Sequence, residues 1–220
     1  MKLHHALRSL SPKSKILIFG LLTVAVAGAL ICTLILRSRP QKQQGSAPII
    51  TFSTDKPDES RENAESYKWQ GAAEEPKVLR IKSLGIETFV QKAGVDQNSQ
   101  IAVPSNIHLA GWFSDSVQPG KNGLSIIDGH VSGASSDGVF KKLGTLQKGD
   151  ALEIELGSGK KLNYEVIEAV ELKVEESAAY LFSQKPDVVS QLNLITCGGK
   201  FNQSQNQYEN RIIVSATLKT

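Results

Sequence analysis

Hydrophobic and polar positions alternate over short runs throughout the C-terminal two thirds of the chain. Val78-Leu79-Arg80-Ile81 is followed by Leu84-Gly85-Ile86, and then by Thr88–Val90, Ile101–Val103 and Leu124–Ile127. Ala151–Leu156, Leu162–Ile167, Leu192–Thr196 and Ile212–Ala216 complete the set. These runs are short, rich in β-branched residues and bounded by turn residues: Gly94, Pro119-Gly120, Lys148-Gly149-Asp150 and Gly157-Ser158-Gly159. That texture predicts strands. Leu156–Lys160 reads as a hairpin turn, and Gly138–Leu146 has room for one short helix. About eight strands in residues 77–220, some of these nine runs being joined, predict an all-β domain, a closed or nearly closed eight-stranded barrel. No internal repeat or coiled-coil heptad interrupts it.

The N-terminal part follows another pattern. Ile16 to Leu36 carries no charged residue, a length that crosses a bilayer core as one helix. Lys2, Arg8, Lys13 and Lys15 precede it, and Arg37, Arg39 and Lys42 follow. This favours slightly a cytoplasmic N-terminus. Ala25-Val26-Ala27 resembles a cleavage site, but the apolar run continues to Leu36, further than a cleaved signal needs. The expectation is an uncleaved single-pass anchor with the C-terminal domain on the extracellular face. Residues 37–76 are rich in Gln, Ser, Pro, Lys and Glu and poor in large apolar residues, which predicts a flexible linker. Within it, Pro48–Phe52 reads as disordered or, at most, a marginal strand. The expected division is thus a cytoplasmic segment 1–15, an anchor 16–36, a linker 37–76 and a folded domain 77–220.

Charge sharpens this division. Residues 1–70 hold 10 Lys/Arg and 5 Asp/Glu, whereas residues 71–220 hold 15 and 17. The folded part is mildly acidic, which argues against nucleic acid as a partner.

Candidate chemistry centres on Cys197. Cys32 lies in the apolar span, so the exported domain has one cysteine and cannot form an internal disulfide. An unpaired thiol in an oxidising compartment calls for a use. Cys197 ends an apolar run and precedes Gly198-Gly199, which are expected to end the strand and open the backbone to another molecule. A buried structural cysteine is the competing reading. His130 likewise closes a strand-like run, Ile126-Ile127-Asp128-Gly129, and imidazole exchanges protons near neutral pH. His108 reads as a packing or capping residue. Arg211 opens the last run, in a domain with 13 Lys and 2 Arg. A guanidinium offers a planar fork of donors suited to a developing oxyanion; a surface ion pair is the alternative.

His, Cys and Arg in that order resemble the sortases, cysteine transpeptidases of Gram-positive cell surfaces. The family's Thr-Leu-x-Thr-Cys strand appears as Asn193-Leu194-Ile195-Thr196-Cys197, its Gly-His pair as Gly129-His130, and its final strand as Arg211–Ala216. Cys197-Gly198-Gly199 and Gly111-Trp112-Phe113 look most like class F. The resemblance covers roughly residues 77–220. It implies an eight-stranded barrel with one or two short helices. It also implies cleavage of a Leu-Pro-x-Thr-Gly-like sorting signal and transfer of the acyl group to an amine of lipid II, a cell-wall precursor or a pilin lysine. No metal or cofactor is implied. Cys197 would be the nucleophile, His130 the general acid and base, and Arg211 the substrate and oxyanion contact, with Thr196 in support. Tyr180 and Leu181, in the long connection from Lys173 to Ser190, would line the peptide-recognition wall, unless that connection only packs as a lid. Two residues depart from the pattern. Asn193 is expected to affect packing, and Asp128 either faces His130 and favours imidazolium or forms a turn. Two other readings stay open: an L,D-transpeptidase-like enzyme, whose Ser-x-Gly-Cys-x-Arg run is absent here, and a non-catalytic wall-binding barrel.

Overall fold

The computed structural model describes residues 49–219, apart from Phe52 and Asp55. The expected cytoplasmic segment, membrane anchor and first part of the linker lie outside the described residues.

Among the described residues nine strands form one sheet. They are β1 (Ile49–Ile50), β2 (Pro76–Ile81), β3 (Ile86–Ala93), β4 (Ala110–Phe113), β5 (Gly123–Gly129), β6 (Ala151–Leu156), β7 (Lys161–Lys173), β8 (Ser190–Asn202) and β9 (Gln207–Leu218). The order is β1-β3-β2-β6-β7-β9-β8-β5-β4, and β4 also pairs with β3. That last pairing closes β2 to β9 into an eight-stranded barrel, with β1 a two-residue addition beside the end of β3. Helix α1 (Arg61–Glu65) precedes the barrel and α2 (Val174–Leu181) joins β7 to β8. A short 3-10 turn at Leu143–Thr145 falls where a helix was expected.

Strand alternation explains the core. On β6, Leu152, Ile154 and Leu156 point into the barrel with Leu79, Ile81, Ile127, Leu192, Leu194 and Val214. Glu153 and Glu155 point out, where Arg80 bonds both at 2.9 and 2.8 Å. Burying each large aliphatic side chain contributes roughly 1.5–3 kcal/mol. A second apolar cluster lies on the other face of the sheet: Phe113, Ile126, Ile213 and Leu181 of α2, with Val170, Leu172 and Ile195 packed against them.

Several sequence expectations need correction. Ile101–Val103 is not a barrel strand; Ile101 makes one isolated bridge to Val95. It belongs to the crossover between the parallel strands β3 and β4, which requires a long return path. Ala110–Phe113 takes its place. All four residues are buried, so no alternation marked the run as a strand. Strand β7 continues six residues past Ile167, through a register shift between Val166 and Glu168. An extra residue of this kind resets the inside–outside phase and masks the second half of the strand. Likewise Gly198-Gly199 does not end β8. The ladder shifts register between Gly198 and Phe201 and then resumes, with Gly199 at φ +71°, a backbone region that favours glycine. Arg211 therefore lies within β9 and does not open it.

The expected linker also carries structure. Ser60 caps α1 by accepting from the Asn63 amide. Asp58 and Asn106 bridge in parallel, the Asn106 amide donates to the Ser60 carbonyl at 2.8 Å, and Trp69 donates to the Pro76 carbonyl. Composition spoke to whether this segment orders by itself. The barrel supplies the partners that order it.

Candidate active site

Strand register assembles the site. Cys197 on β8 and Arg211 on β9 are directly opposed. Strand β5 runs parallel to β8 with Asp128 beside Ile195. The paired register ends there; His130 follows β5 by one residue and Cys197 follows Ile195 by two, at the same end of the parallel pair. Residues two apart share a face. Asp128 therefore shares the face of Ile126, Cys197 that of Ile195, and Arg211 that of Ile213. Ile126, Ile195 and Ile213 belong to the outer cluster. His130, Cys197 and Arg211 thus form a row across three adjacent strands, at the edge of the surface that α2 covers.

Backbone constraints hold His130 in place. The ring of Phe140 lies 2.6 Å from where a β-carbon on Gly129 would stand, so the residue before His130 must lack a side chain. The Pro104 carbonyl accepts a 2.8 Å hydrogen bond from Nε2 of His130. A neutral imidazole donating from Nε2 has its free lone pair on Nδ1, where it can accept a proton. Burial lowers the His130 pKa from 6.5, partly opposed by the Pro104 carbonyl.

Cys197 is half-buried. Desolvation raises its thiol pKa above 9.0; the Arg211 charge pulls it down and the Asp128 carboxylate pushes it up. At neutral pH the resting pair is thus thiol and imidazole. Arg211 donates through Nη1 to the carbonyls of Tyr208 and Asn210, at 3.2 and 2.9 Å. Among the described residues no carboxylate pairs with it, in contrast to Arg80, which bonds Glu87, Glu153 and Glu155. That removes the surface ion-pair reading of Arg211.

Thr196 is buried and donates through Oγ1 to the Gly129 carbonyl. Asp128 lies within β5, not in a turn. Its side chain is buried with Oδ1 unpartnered, and burial raises its pKa well above 3.8. His130 is set by burial and Pro104, whereas the Asp128 charge acts on Cys197. The expectation of an imidazolium partner is corrected accordingly.

Leu181 is buried in the outer cluster and packs α2 onto the sheet; it does not present a recognition surface. Tyr180 is half-buried, with its hydroxyl bonded to Glu168 and Lys185. Asn193 is fully buried and donates to the Leu181 carbonyl at 2.8 Å, so this departure ties the end of α2 to β8. His108, in the crossover just before β4, donates to the Glu59 carbonyl of the N-terminal segment. Sequence reading missed Pro104 and Tyr208. Pro104 acts through a backbone carbonyl, which leaves no side-chain signal.

A sortase domain matches residues 79–219. The chain belongs to the sortase family. Sortases are cysteine transpeptidases, and Cys197 is the one cysteine among the described residues. The barrel is similar to a lid mutant of sortase A from Corynebacterium diphtheriae, with 21% identity over 72% of this chain and 75% of that one and a TM-score of 0.51. It is also similar to sortase A from the same organism, with 21% identity, 69% and 63% coverage and a TM-score of 0.50. Sortase C1 of GBS Pilus Island 1 shares 15% identity over 67% and 65%, with a TM-score of 0.50. The chain therefore spans just under two thirds of the latter two. Among curated protein sequences none matches this sortase closely enough to count as a relative.

Proposed function

We propose that this sortase cleaves a Leu-Pro-x-Thr-Gly-like sorting signal and transfers the acyl fragment to an amine. The observation that carries the reading is the cross-strand pair Cys197–Arg211, with the guanidinium drawing the thiol pKa down. The Cys197 sulfur attacks the threonyl carbonyl carbon as its proton passes to Nδ1 of His130. Arg211 stabilises the tetrahedral oxyanion. Imidazolium then protonates the departing glycyl amine, and the C–N bond breaks to leave a thioester on Cys197. An incoming amine gives its proton to His130, attacks the thioester and releases the sulfur. One amide is exchanged for another, with no net redox change and no cofactor.

The class F assignment rests on Cys197-Gly198-Gly199 and Gly111-Trp112-Phe113. The uncharged span 16–36 serves as the membrane anchor and places the catalytic domain on the extracellular face. The acceptor is an amine of lipid II or a pilin lysine. Mass spectrometry of the full chain with a sorting-peptide library and candidate amines tests this reading. The expected result is a mass adduct on Cys197 and an amide product that Cys197→Ala does not form. Turnover by Cys197→Ala would overturn it.

A further inference from the structure

We infer that Tyr208 is a positioning residue that couples the Arg211 strand to the loop beginning at His130. The inference rests on the roles proposed for His130 and Arg211. Tyr208 lies on β9 beyond the glycine bulge, opposite Phe201 on β8. Their rings meet edge-on with centroids 5.2 Å apart, which fixes the direction of the tyrosine side chain. Its backbone carbonyl accepts from Nη1 of Arg211 at 3.2 Å. Its hydroxyl meets the Ser132 hydroxyl at 2.7 Å. One residue therefore touches the guanidinium at one end and, at the other, a side chain two positions after His130.

The loop it reaches is a small hairpin with His130 at its base. Ser132 and Asp137 form a bridge, the Gly133 amide donates to the Ser136 carbonyl, and the Gly138 amide donates to the Val131 carbonyl. The Phe140 amide closes the base by donating to the His130 carbonyl at 2.9 Å. Glu59 holds the tip, accepting from the amides of Ala134 and Ser135. The Tyr208–Ser132 bond is the hold on the active-site side. Loosening it lets more water reach the half-buried imidazole while leaving both rings of the Tyr208–Phe201 pair in place. The other titratable groups near this region are Asp128 on β5, Cys197 on β8 and Arg211 on β9, with Glu59, Asp137 and Lys141 at the hairpin; Glu168 of β7, with Tyr180 and Lys185, lies on the face that α2 covers.

Tyr208→Phe in the full chain removes only the hydroxyl, and Ser132→Ala removes its partner from the other side. Each is expected to lower kcat/KM about 3–10-fold, mainly through kcat, as loss of one neutral hydrogen bond implies. The double variant is expected to be no worse than either single one, and Ser132→Thr to retain activity. NMR titration of His130 in the resting protein is expected to show its pKa rising toward 6.5 in Tyr208→Phe, with the acid limb of the rate profile following. Superimposable His130 titrations, or single losses that multiply in the double variant, would overturn the inference. The titration needs no substrate, so its failure is distinct from failure of the sortase reading, which the Cys197→Ala comparison tests.

Discussion

Thr196 donates a 2.7 Å hydrogen bond to the carbonyl of Gly129. The residue before the thiol is thus tied to the residue before the imidazole, across the parallel β5–β8 pair. This bond sets the stagger of the two strands at the point where their reactive side chains emerge. Thr196→Val keeps the shape and removes the donor. Leaving a buried carbonyl short of its partner costs about 1–3 kcal/mol, so a fall in thermal stability is expected, together with a fall in kcat. Calorimetry and single-turnover kinetics check both. An unchanged kcat would reduce Thr196 to a packing residue.

Arg211→Lys is expected to lose about 10²–10³ in kcat while retaining its positive charge. The guanidinium spends Nη1 on the carbonyls of Tyr208 and Asn210 and keeps the rest of its fork for the substrate. A single ammonium cannot do both. Turnover within a few-fold of wild type would make Arg211 a general electrostatic residue.

The pH dependence of kcat/KM is expected to be bell-shaped. Burial lowers the His130 pKa below 6.5, placing the acid limb below that value. Burial raises the Cys197 pKa above 9.0, placing the alkaline limb above it. Both limbs report the free enzyme. Thiol alkylation reads the thiolate alone and is expected to keep rising through the alkaline limb, where peptide turnover falls. Coincident profiles for the two reactions would argue against a role for His130.

Asp128→Asn addresses the buried carboxyl. Its folded-state pKa lies above the unfolded value of 3.8, so the native state binds the proton more tightly. The stability this confers is full below pH 3.8 and is lost as pH rises through the folded-state pKa. Asn is isosteric with the protonated acid and never ionises. The variant is expected to melt higher than wild type at neutral and alkaline pH, with the gain vanishing in acid. Because the Asp128 charge raises the Cys197 pKa, alkylation is expected to shift to lower pH. Identical melting curves would show that the folded-state pKa is not raised, and identical alkylation curves that the carboxyl does not act on the thiol.

Much of the site was legible because strand periodicity and residue chemistry are local. Cys197, His130 and Arg211 each follow or lie within an apolar β-branched run, and each is of a type rare in this domain. The eight-stranded count was also legible, although one strand was misplaced. Ile101–Val103 has the β-branched texture, whereas Ala110–Phe113 has a glycine and no alternation. A strand buried on both faces gives no polar beat to read. The family resemblance implies a peptide wall at Leu181, whereas its burial against Ile213 and Ile195 follows from where α2 lands on the sheet.

Local sequence alone determined that the domain is β, that it carries one thiol, an imidazole and a guanidinium in or just after apolar runs, and that the chain resembles the sortases. Register decided the rest, since which residues face each other depends on strands far apart in sequence. The opposition of Cys197 and Arg211 was not visible in one dimension, nor was the reach of Tyr208 to Ser132 or the Pro104 carbonyl at His130. Neither was the burial of Asp128 beside Ile195, two residues before the thiol. A carboxyl before Gly-His reads locally as a turn or an imidazolium partner, and only the packing around it shows a desolvated acid that acts on the sulfur.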